Sequence, residues 1–419
     1  MIKNIISGGV LKLGFSNIIY LLFNFVIIKY LTNHYSSAVF GKYSIIIAFS
    51  SIVFILIQTV TSIIGPFYKE NQFSKQEIRI KSFNLLFLFI LIILLLLSIL
   101  VAFSFIVKFN YIYEIILATF LGLSISFNML SNSFILVEGH INRFIFFNLL
   151  NPFFRVLIIS LIIYYKFKFS INEIIGFFIF SNLIISILGL YHYIKLFKVR
   201  KYSLSIDNTF LKEYLSYTRF NLFNNLISWL NIFLDKYILG KTQGTSLVGV
   251  YSVQYQYSFS VFNQLSQVIG QYFNSFYWVK NITDELDKIR LIIKLLSISI
   301  VLITSFIILI PNHIIDFLII NVSSENFVGF SLSYKIILIS GLLFMSTQII
   351  SNPLLKKNEI KSLSISKGIT FISFLLLAVF LTPKFSITGL SISLLISNLI
   401  YYILIIRNVL ISRLDKKTS

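Results

Sequence analysis

Five long runs without a charged residue constrain the fold of this chain more than any other feature of its sequence. They lie at 44–67, 82–107, 115–137, 336–355 and 385–406. Each is long enough, at about 1.5 Å per helical residue, to cross a hydrocarbon core of about 30 Å. A membrane β-barrel would instead show short segments of alternating hydrophobicity. The sequence therefore predicts an all-α polytopic membrane protein.

The loops between the apolar runs carry most of the positive charge, and they predict the topology. With the N-terminus inside, most Lys and Arg fall on the cytoplasmic side, which places both termini in the cytoplasm. The net charge of +20 is explained by loops that set the topology and contact lipid headgroups. We therefore do not expect nucleic acid as a partner. We predict about twelve transmembrane helices, near 10–30, 44–66, 83–107, 112–137, 145–165, 172–194, 216–239, 247–277, 291–311, 333–355, 363–382 and 386–406.

The second half of the predicted helices repeats the first. A long inside loop, 195–215, separates six spans from six, so we predict two six-helix bundles, 1–207 and 208–419, related by pseudo-twofold symmetry. Duplications of this kind are typical of transporters, with the substrate site between the halves. The matched pairs are Lys12 with Arg219, Asn17 with Asn224, Asn24 with Asn231, Lys29 with Lys236, Tyr30 with Tyr237, Gly41 with Gly249, Tyr43 with Tyr251 and Ser44 with Ser252.

The predicted span at 217–239 carries its polar residues on one face. They recur every three or four residues, which is one narrow stripe of a helix. An amide or carboxylate that faces lipid costs on the order of several kcal/mol, so we expect the stripe to face other helices or a wet cavity. The stripe consists of Asn221, Asn224, Ser228, Asn231 and Asp235.

The next span repeats the pattern without a charge. Isolated amides in membranes often form interhelical hydrogen bonds. A continuous series on two consecutive helices favours a hydrated cavity instead, and an amide-rich wall suits sugar hydroxyls, which both donate and accept. The second stripe consists of Gln256, Ser260, Asn263, Gln267, Gln271 and Asn274, and Asn24 belongs to a thinner stripe in the first span.

Arg155 lies near the middle of the predicted fifth span. A central Arg costs about 2.5–3.5 kcal/mol even on the lenient insertion scale. Three polar residues share one helix face: Asn148, Asn151 and Arg155. Pro152 has no backbone N–H, so a backbone carbonyl oxygen beside them is left free to accept another hydrogen bond. Two interpretations stay open: a cavity-facing cation for an anionic substrate group, and a structural arginine held by hydrogen bonds.

The remaining candidate charges lie within a turn or two of a span end. Lys12, Lys29, Arg219 and Lys236 are candidate cavity cations, although snorkelling to the interface is the ordinary behaviour of such residues. Asp235 is the carboxylate of the first stripe. It either pairs with a neighbouring cation or takes a proton, and we expect structural pairing.

The sequence offers little support for enzymatic chemistry. It has no cysteine, and its four histidines are far apart, without metal-ligand spacing. It also lacks a glycine-rich phosphate loop of the Walker type. We therefore expect neither catalysis nor a cofactor nor a metal site.

The stretch 224–258 resembles the seventh and eighth spans of Wzx-type O-antigen and capsule flippases. The matching elements are Asp235-Lys236, Leu239-Gly240 and Val248-Gly249-Val250-Tyr251, and Phe40-Gly41 with Tyr43 looks like the first loop of that family. These flippases form the polysaccharide transporter branch of the multidrug/oligosaccharidyl-lipid/polysaccharide exporter superfamily. The length, the twelve spans and the division into six plus six agree over the whole chain.

The resemblance implies a flippase that moves an undecaprenyl-pyrophosphate-linked oligosaccharide repeat unit across the bacterial inner membrane by alternating access. The implied partners are that lipid-linked substrate, membrane lipids, and the polymerase and chain-length regulator of the same pathway. Three alternatives stay open: a multidrug-type exporter of the same superfamily, a polysaccharide polymerase, and a scaffold subunit. A polymerase would need a large external loop. An exporter would be expected to use intramembrane carboxylates, of which Asp235 is the one good candidate.

Overall fold

The computed structural model of the chain is helical over almost all of the residues that it describes. It describes residues 2–62, 112–137, 140–167, 169–197, 208–266, 286–355 and 360–414, together with scattered residues of 80–98 and residue 269. A single turn of 3-10 helix covers Glu325–Phe327. The helices are α1 (Ile2–His34), α2 (Ser37–Ser62), α3 (Ile112–Val137), α4 (Ile141–Tyr164), α5 (Ile171–Phe197), α6 (Asn208–Gln243), α7 (Thr245–Tyr257), α8 (Leu286–Leu309), α9 (Asn312–Val322), α10 (Ser331–Leu355) and α11 (Ile360–Leu414).

The length and composition of these helices confirm the predicted fold class. Eight helices of the described ranges are long and apolar enough to cross a membrane, namely α1 to α5, α8, α10 and α11. Helix α6 has the length of a span, 36 residues, but is too polar to be counted with them. The protein is therefore an all-α polytopic membrane protein. The predicted spans near 83–107 and 247–277 lie partly outside the described residues.

Helix α11 contains two spans, because the chain turns back within it. Its apolar part is 51 residues long, which as a straight helix would measure about two and a half times the hydrocarbon core. Ser386 interrupts the helix with a φ of 53°, shortly after Pro383. A Cβ on Gly389 would overlap the carbonyl oxygen of Leu381, which a straight helix would hold about 12 Å away. The predicted spans near 363–382 and 386–406 are thus two separate helical segments.

By its internal contacts, the chain separates into two compact units. Unit 1 comprises Met1–Ser44 and Leu234–Ser419, and unit 2 comprises Ile45–Phe233. In unit 1, α10 packs mainly against α11 and α8, and in unit 2, α3 packs mainly against α5. The boundaries of the units fall inside α2 and α6 and not between residues 207 and 208. The division into halves 1–207 and 208–419 stays a prediction.

Within unit 1, the first turns of α2 and α7 cross with their backbones in direct contact. A Cβ on Gly41 would overlap the carbonyl oxygen of Thr245, and a Cβ on Gly249 would overlap that of Ser37. Gly41 and Gly249 are a matched pair of the predicted repeat, and Ser37 and Thr245 are separated by the same offset. The crossing is therefore locally symmetric, which supports the predicted repeat.

Candidate functional site

The polar stripe of α6 faces inward over its described length, as the sequence predicts. Asn224 and Asp235 are buried and Asn231 is half-buried, whereas Phe223 on another face is 48% exposed. In unit 2, Trp229 holds α6 against α2 by donating from Nε1 to the carbonyl oxygen of Ala48, at 2.9 Å. The described amides of the stripe therefore lie on the more buried side of α6.

Several buried oxygens on α6 and α7 find no hydrogen-bond partner in the part of the chain that the structure describes. They are the side-chain oxygens of Asn224 and Asn231 on α6, and of Ser252 and Gln254 on α7. Buried polar atoms are almost always hydrogen-bonded to protein or to ordered water. Gln254 does bind a second element through its other side-chain atom, since its Nε2 donates to the carbonyl oxygen of Phe330 at 3.2 Å. The hydrated cavity therefore stays a prediction.

Asp235 forms an ion pair inside unit 1, which confirms the expected structural pairing. Lys236 Nζ lies 3.2 Å from Oδ1 of Asp235, and Tyr251 on α7 donates to Oδ2 at 3.0 Å. The two charged residues are 2% and 6% exposed. The ammonium group also lies 5.1 Å from the ring centre of Tyr255. Lys236 is therefore held by local partners and does not reach the interface by snorkelling.

Lys29, the repeat partner of Lys236, binds backbone carbonyl oxygens and no carboxylate among the residues that the structure describes. Its ammonium group donates to the carbonyl oxygens of Ile320 and Ser323, at the C-terminal end of α9. Tyr257 donates to the carbonyl oxygen of Val322, at 2.8 Å. A cation is favourable at this end of a helix, because the last carbonyls have no helical partner and carry partial negative charge. Lys29 and Tyr257 therefore anchor α9 within unit 1.

Arg155 lies in the middle of α4, in unit 2, and forms no ion pair with any residue that the structure describes. Its Nη2 donates to Oδ1 of Asn182 at 3.2 Å, and its guanidinium lies 5.1 Å from the ring centre of Phe178. Its Nε is buried and finds no acceptor there, and the side-chain oxygen of Asn151, one turn earlier, is buried and unpaired as well. The arginine is thus held by a hydrogen bond and keeps donor capacity for an anion.

Asn182 and Ser124 belong to this site although the sequence analysis did not single them out. Asn182 on α5 is fully buried, and its Nδ2 donates to Oγ of Ser124 on α3 at 3.2 Å. A lone Asn in an apolar span has no local periodicity that would mark it. The signal that could have found it is a second Ser–Asn pair of the same spacing, Ser340 and Asn398.

The other predicted site residues are placed as follows. Lys12 and Gln256 are exposed, and Asn24 and Asn263 are half-buried. Arg219 lies on α6, but its side chain is outside what the structure describes, and Gln267 falls outside the described residues. Their assignment to a substrate site stays a prediction.

The two clusters differ in what they can bind. In the described ranges, no three His, Asp or Glu side chains are grouped so as to hold a metal ion. The ion pair of unit 1 is already compensated. The guanidinium of unit 2 keeps spare donors, which can bind and release an anion without breaking a covalent bond.

No protein-family model matches the chain, and no curated relative matches it. Several solved structures do match the chain. A multidrug resistance MATE family transporter of the MOP superfamily, in an inward-facing conformation, matches over 96% of this chain and 96% of its own, with 15% identity and a TM-score of 0.70. The chain has the MATE transporter fold. A second MATE structure, in the straight conformation, matches over 100% of this chain and 97% of its own, with 14% identity and a TM-score of 0.67.

The MATE fold also occurs in a neighbour whose function is described as different. A MOP superfamily transporter from Pyrococcus furiosus, reported to have a binding pocket of reverse polarity, matches over 96% of this chain and 95% of its own, with 15% identity and a TM-score of 0.62. Likeness at such low identity establishes the MATE fold of this chain and leaves its cargo open. The Wzx-type flippase assignment stays a prediction.

Proposed function

We propose that this chain is a membrane transporter and that it acts as a multidrug-type exporter. The observation that supports this proposal is the agreement of its fold, over 96% of the chain, with a multidrug resistance MATE family transporter. The inward-facing stripe of α6, with its unsatisfied amide oxygens, gives such a protein a polar path for part of its cargo. Transport by alternating access breaks no covalent bond, so the protein is not expected to be an enzyme.

Dye accumulation tests multidrug export directly. Cells that lack their own multidrug exporters should accumulate less ethidium when they produce this chain than when they carry the empty vector. Asn231→Leu, which removes a buried and unpaired amide of the stripe, should restore accumulation. Phe223→Leu, on an exposed face of the same helix, is the matched control and should leave export intact. Unchanged accumulation at normal membrane levels of the protein would contradict multidrug export.

Translocation of a lipid-linked oligosaccharide is the second candidate, and the cation at Arg155 is the observation that supports it. A cation exporter would use a free intramembrane carboxylate. Asp235 is already engaged by Lys236 and Tyr251, whereas Asp316 on α9 keeps a buried Oδ1 without a partner in the described ranges. Arg155, in contrast, has no acidic partner in the described ranges. A guanidinium suits a pyrophosphate, which it can bind by two charge-assisted hydrogen bonds while a lipid tail stays in the bilayer.

Complementation of a flippase-null strain separates the two candidates. A flippase should restore surface polysaccharide and leave ethidium accumulation unchanged, whereas a multidrug exporter should do the reverse. If Arg155 binds the pyrophosphate, Arg155→Lys should retain part of the activity and Arg155→Gln should lose it. Phe153→Leu, on the exposed side of the same helix, is the control for membrane level. Full export by a stably produced Arg155→Gln variant would remove Arg155 from the site.

A further inference from the structure

Two Ser–Asn hydrogen bonds of the described helices are built alike, one in each unit. In unit 2, Asn182 Nδ2 donates to Ser124 Oγ between α5 and α3, at 3.2 Å. In unit 1, Asn398 Nδ2 donates to Ser340 Oγ between α11 and α10, at 2.7 Å. The partners are 58 residues apart in both pairs, and all four residues are buried. The pairs are therefore equivalent contacts of a duplicated chain.

Ser124 fixes which way the amide of Asn182 points. The Ser124 hydroxyl donates its own proton to the carbonyl oxygen of Leu121 at 2.8 Å, so its Oγ is left to act as an acceptor. It must therefore receive the NH₂ group of Asn182, which turns Oδ1 of Asn182 to the other side. Ser186 supports this arrangement by bonding the carbonyl oxygens of Ser124 and Asn182.

The two pairs differ in what the asparagine oxygen does. Oδ1 of Asn182 accepts a hydrogen bond from Arg155 Nη2, whereas Asn398 bonds no arginine in the part of the chain that the structure describes. Phe178 packs on the guanidinium as well. The Ser124–Asn182 pair of unit 2 thus has two roles. It packs α3 against α5, and it also binds the guanidinium of Arg155.

The neutral amide keeps the charge of Arg155 available. A carboxylate at the same place would neutralise the guanidinium, but an amide oxygen orients it and leaves its positive charge uncompensated. The Nε of Arg155 is buried without an acceptor, and an oxyanion would satisfy it through a charge-assisted hydrogen bond.

We propose that Asn182 is a positioning residue that orients the Arg155 guanidinium for binding of a phosphate-class oxyanion within unit 2. The inference deepens the second candidate function, translocation of a lipid-linked oligosaccharide, on which it rests for the role of the anion as part of a cargo. Ser124 and Ser186 act through Asn182, and the Ser340–Asn398 pair keeps the packing role alone.

Titration of the purified full-length protein with inorganic pyrophosphate, in a phosphate-free detergent, tests the proposal. Asn182→Ala should weaken pyrophosphate binding roughly tenfold, because the guanidinium loses its orienting acceptor. Asn398→Ala removes the equivalent hydrogen bond in unit 1 and is the matched control. It should lower the Tm by a similar amount and leave the pyrophosphate affinity unchanged. Arg155→Gln should abolish the binding that Asn182→Ala weakens.

Asn182→Asp tests the charge of the acceptor. It keeps the size of the side chain and the oxygen that Arg155 bonds, but it gives up the amide donor to Ser124 and places a carboxylate on the guanidinium. Pyrophosphate binding should therefore be lost outright, and not only weakened as in Asn182→Ala. Wild-type affinity in Asn182→Ala would overturn the proposal. An equal loss of affinity in Asn398→Ala would overturn it as well, since a general effect on stability would then explain both variants.

Added phosphatidylglycerol distinguishes the two sources of a phosphate. A headgroup that occupies the site should compete with pyrophosphate in the wild type, and a site reserved for the phosphate of a cargo should show no competition. Both results support an oxyanion site if Asn182→Ala weakens the binding. These titrations do not depend on export. A chain that shows this affinity pattern but neither lowers dye accumulation nor restores polysaccharide would overturn the proposed function and leave the inference standing.

Discussion

Asp235 is balanced by its own neighbour in the chain. Lys236 reaches back to the carboxylate with its ammonium group and also donates its backbone N–H to Oδ1, at 2.6 Å. Tyr251 provides the third hydrogen bond, from α7. Taking two charges out of water is costly, and such a pair persists only where further hydrogen bonds satisfy the carboxylate. At the scale of the residue, the pair is therefore a unit whose members depend on one another.

Removing one member of the pair should destabilise the protein more than removing both. Asp235→Ala should lower the free energy of unfolding by about 3–5 kcal/mol, because the buried ammonium of Lys236 loses its counter-charge. The double variant, Asp235→Leu with Lys236→Met, leaves no charge behind and should be more stable than the single variant. Thermal unfolding in one detergent compares the two. A double variant as unstable as Asp235→Ala would contradict this compensation.

At the scale of the element, the crossing of α2 and α7 depends on two glycines. Gly41 and Gly249 let the two backbones meet where any side chain would strike a carbonyl oxygen of the opposite helix. The carbonyl oxygens concerned belong to Thr245 and Ser37, so neither side can move away without disturbing the start of its own helix. Both helices have ordinary helical backbone at these glycines, and close approach alone requires the residue type.

Gly249→Ala should therefore be destabilising, by about 1–3 kcal/mol, since its Cβ has to displace a backbone. Gly176→Ala is the matched control. It lies inside α5, where a Cβ would meet nothing within 4 Å, and it should stabilise the helix by up to about 1 kcal/mol. The Tm values of the two variants measure the difference. A similar shift for both would show that the crossing tolerates a side chain.

At the scale of the whole molecule, the loops decide how the spans are oriented. Lys and Arg are concentrated on one side of the predicted topology, and translocation of such loops is disfavoured. Reporter fusions after Lys201 and Ser419 should therefore be cytoplasmic, and fusions after Ser36 and Gln243 should be external. An external C-terminus would contradict the count of twelve spans.

Local spacing in the sequence was sufficient for features that repeat along one helix. The inward face of α6 follows from the three- and four-residue spacing of Asn224, Asn231 and Asp235, and hydrophobic runs predict the spans. Contacts between distant segments were beyond that reasoning. Asn182 finds Ser124 across 58 residues, and the burial of Lys236 depends on Tyr251 of the next helix. The internal repeat is the sequence feature that relates distant segments, because equivalent positions of the two halves can be compared directly.

The Asp235–Lys236 pair also constrains the synthesis of the protein. When Asp235 and Lys236 leave the ribosomal exit tunnel, Tyr251 is still inside it, because it belongs to the next helix, α7. An unpaired Lys or Asp is disfavoured in an inserting helix, and α6 is also too polar to count as a span by hydropathy. We therefore expect α6 to wait beside the translocon and to enter the bilayer with α7 as a hairpin.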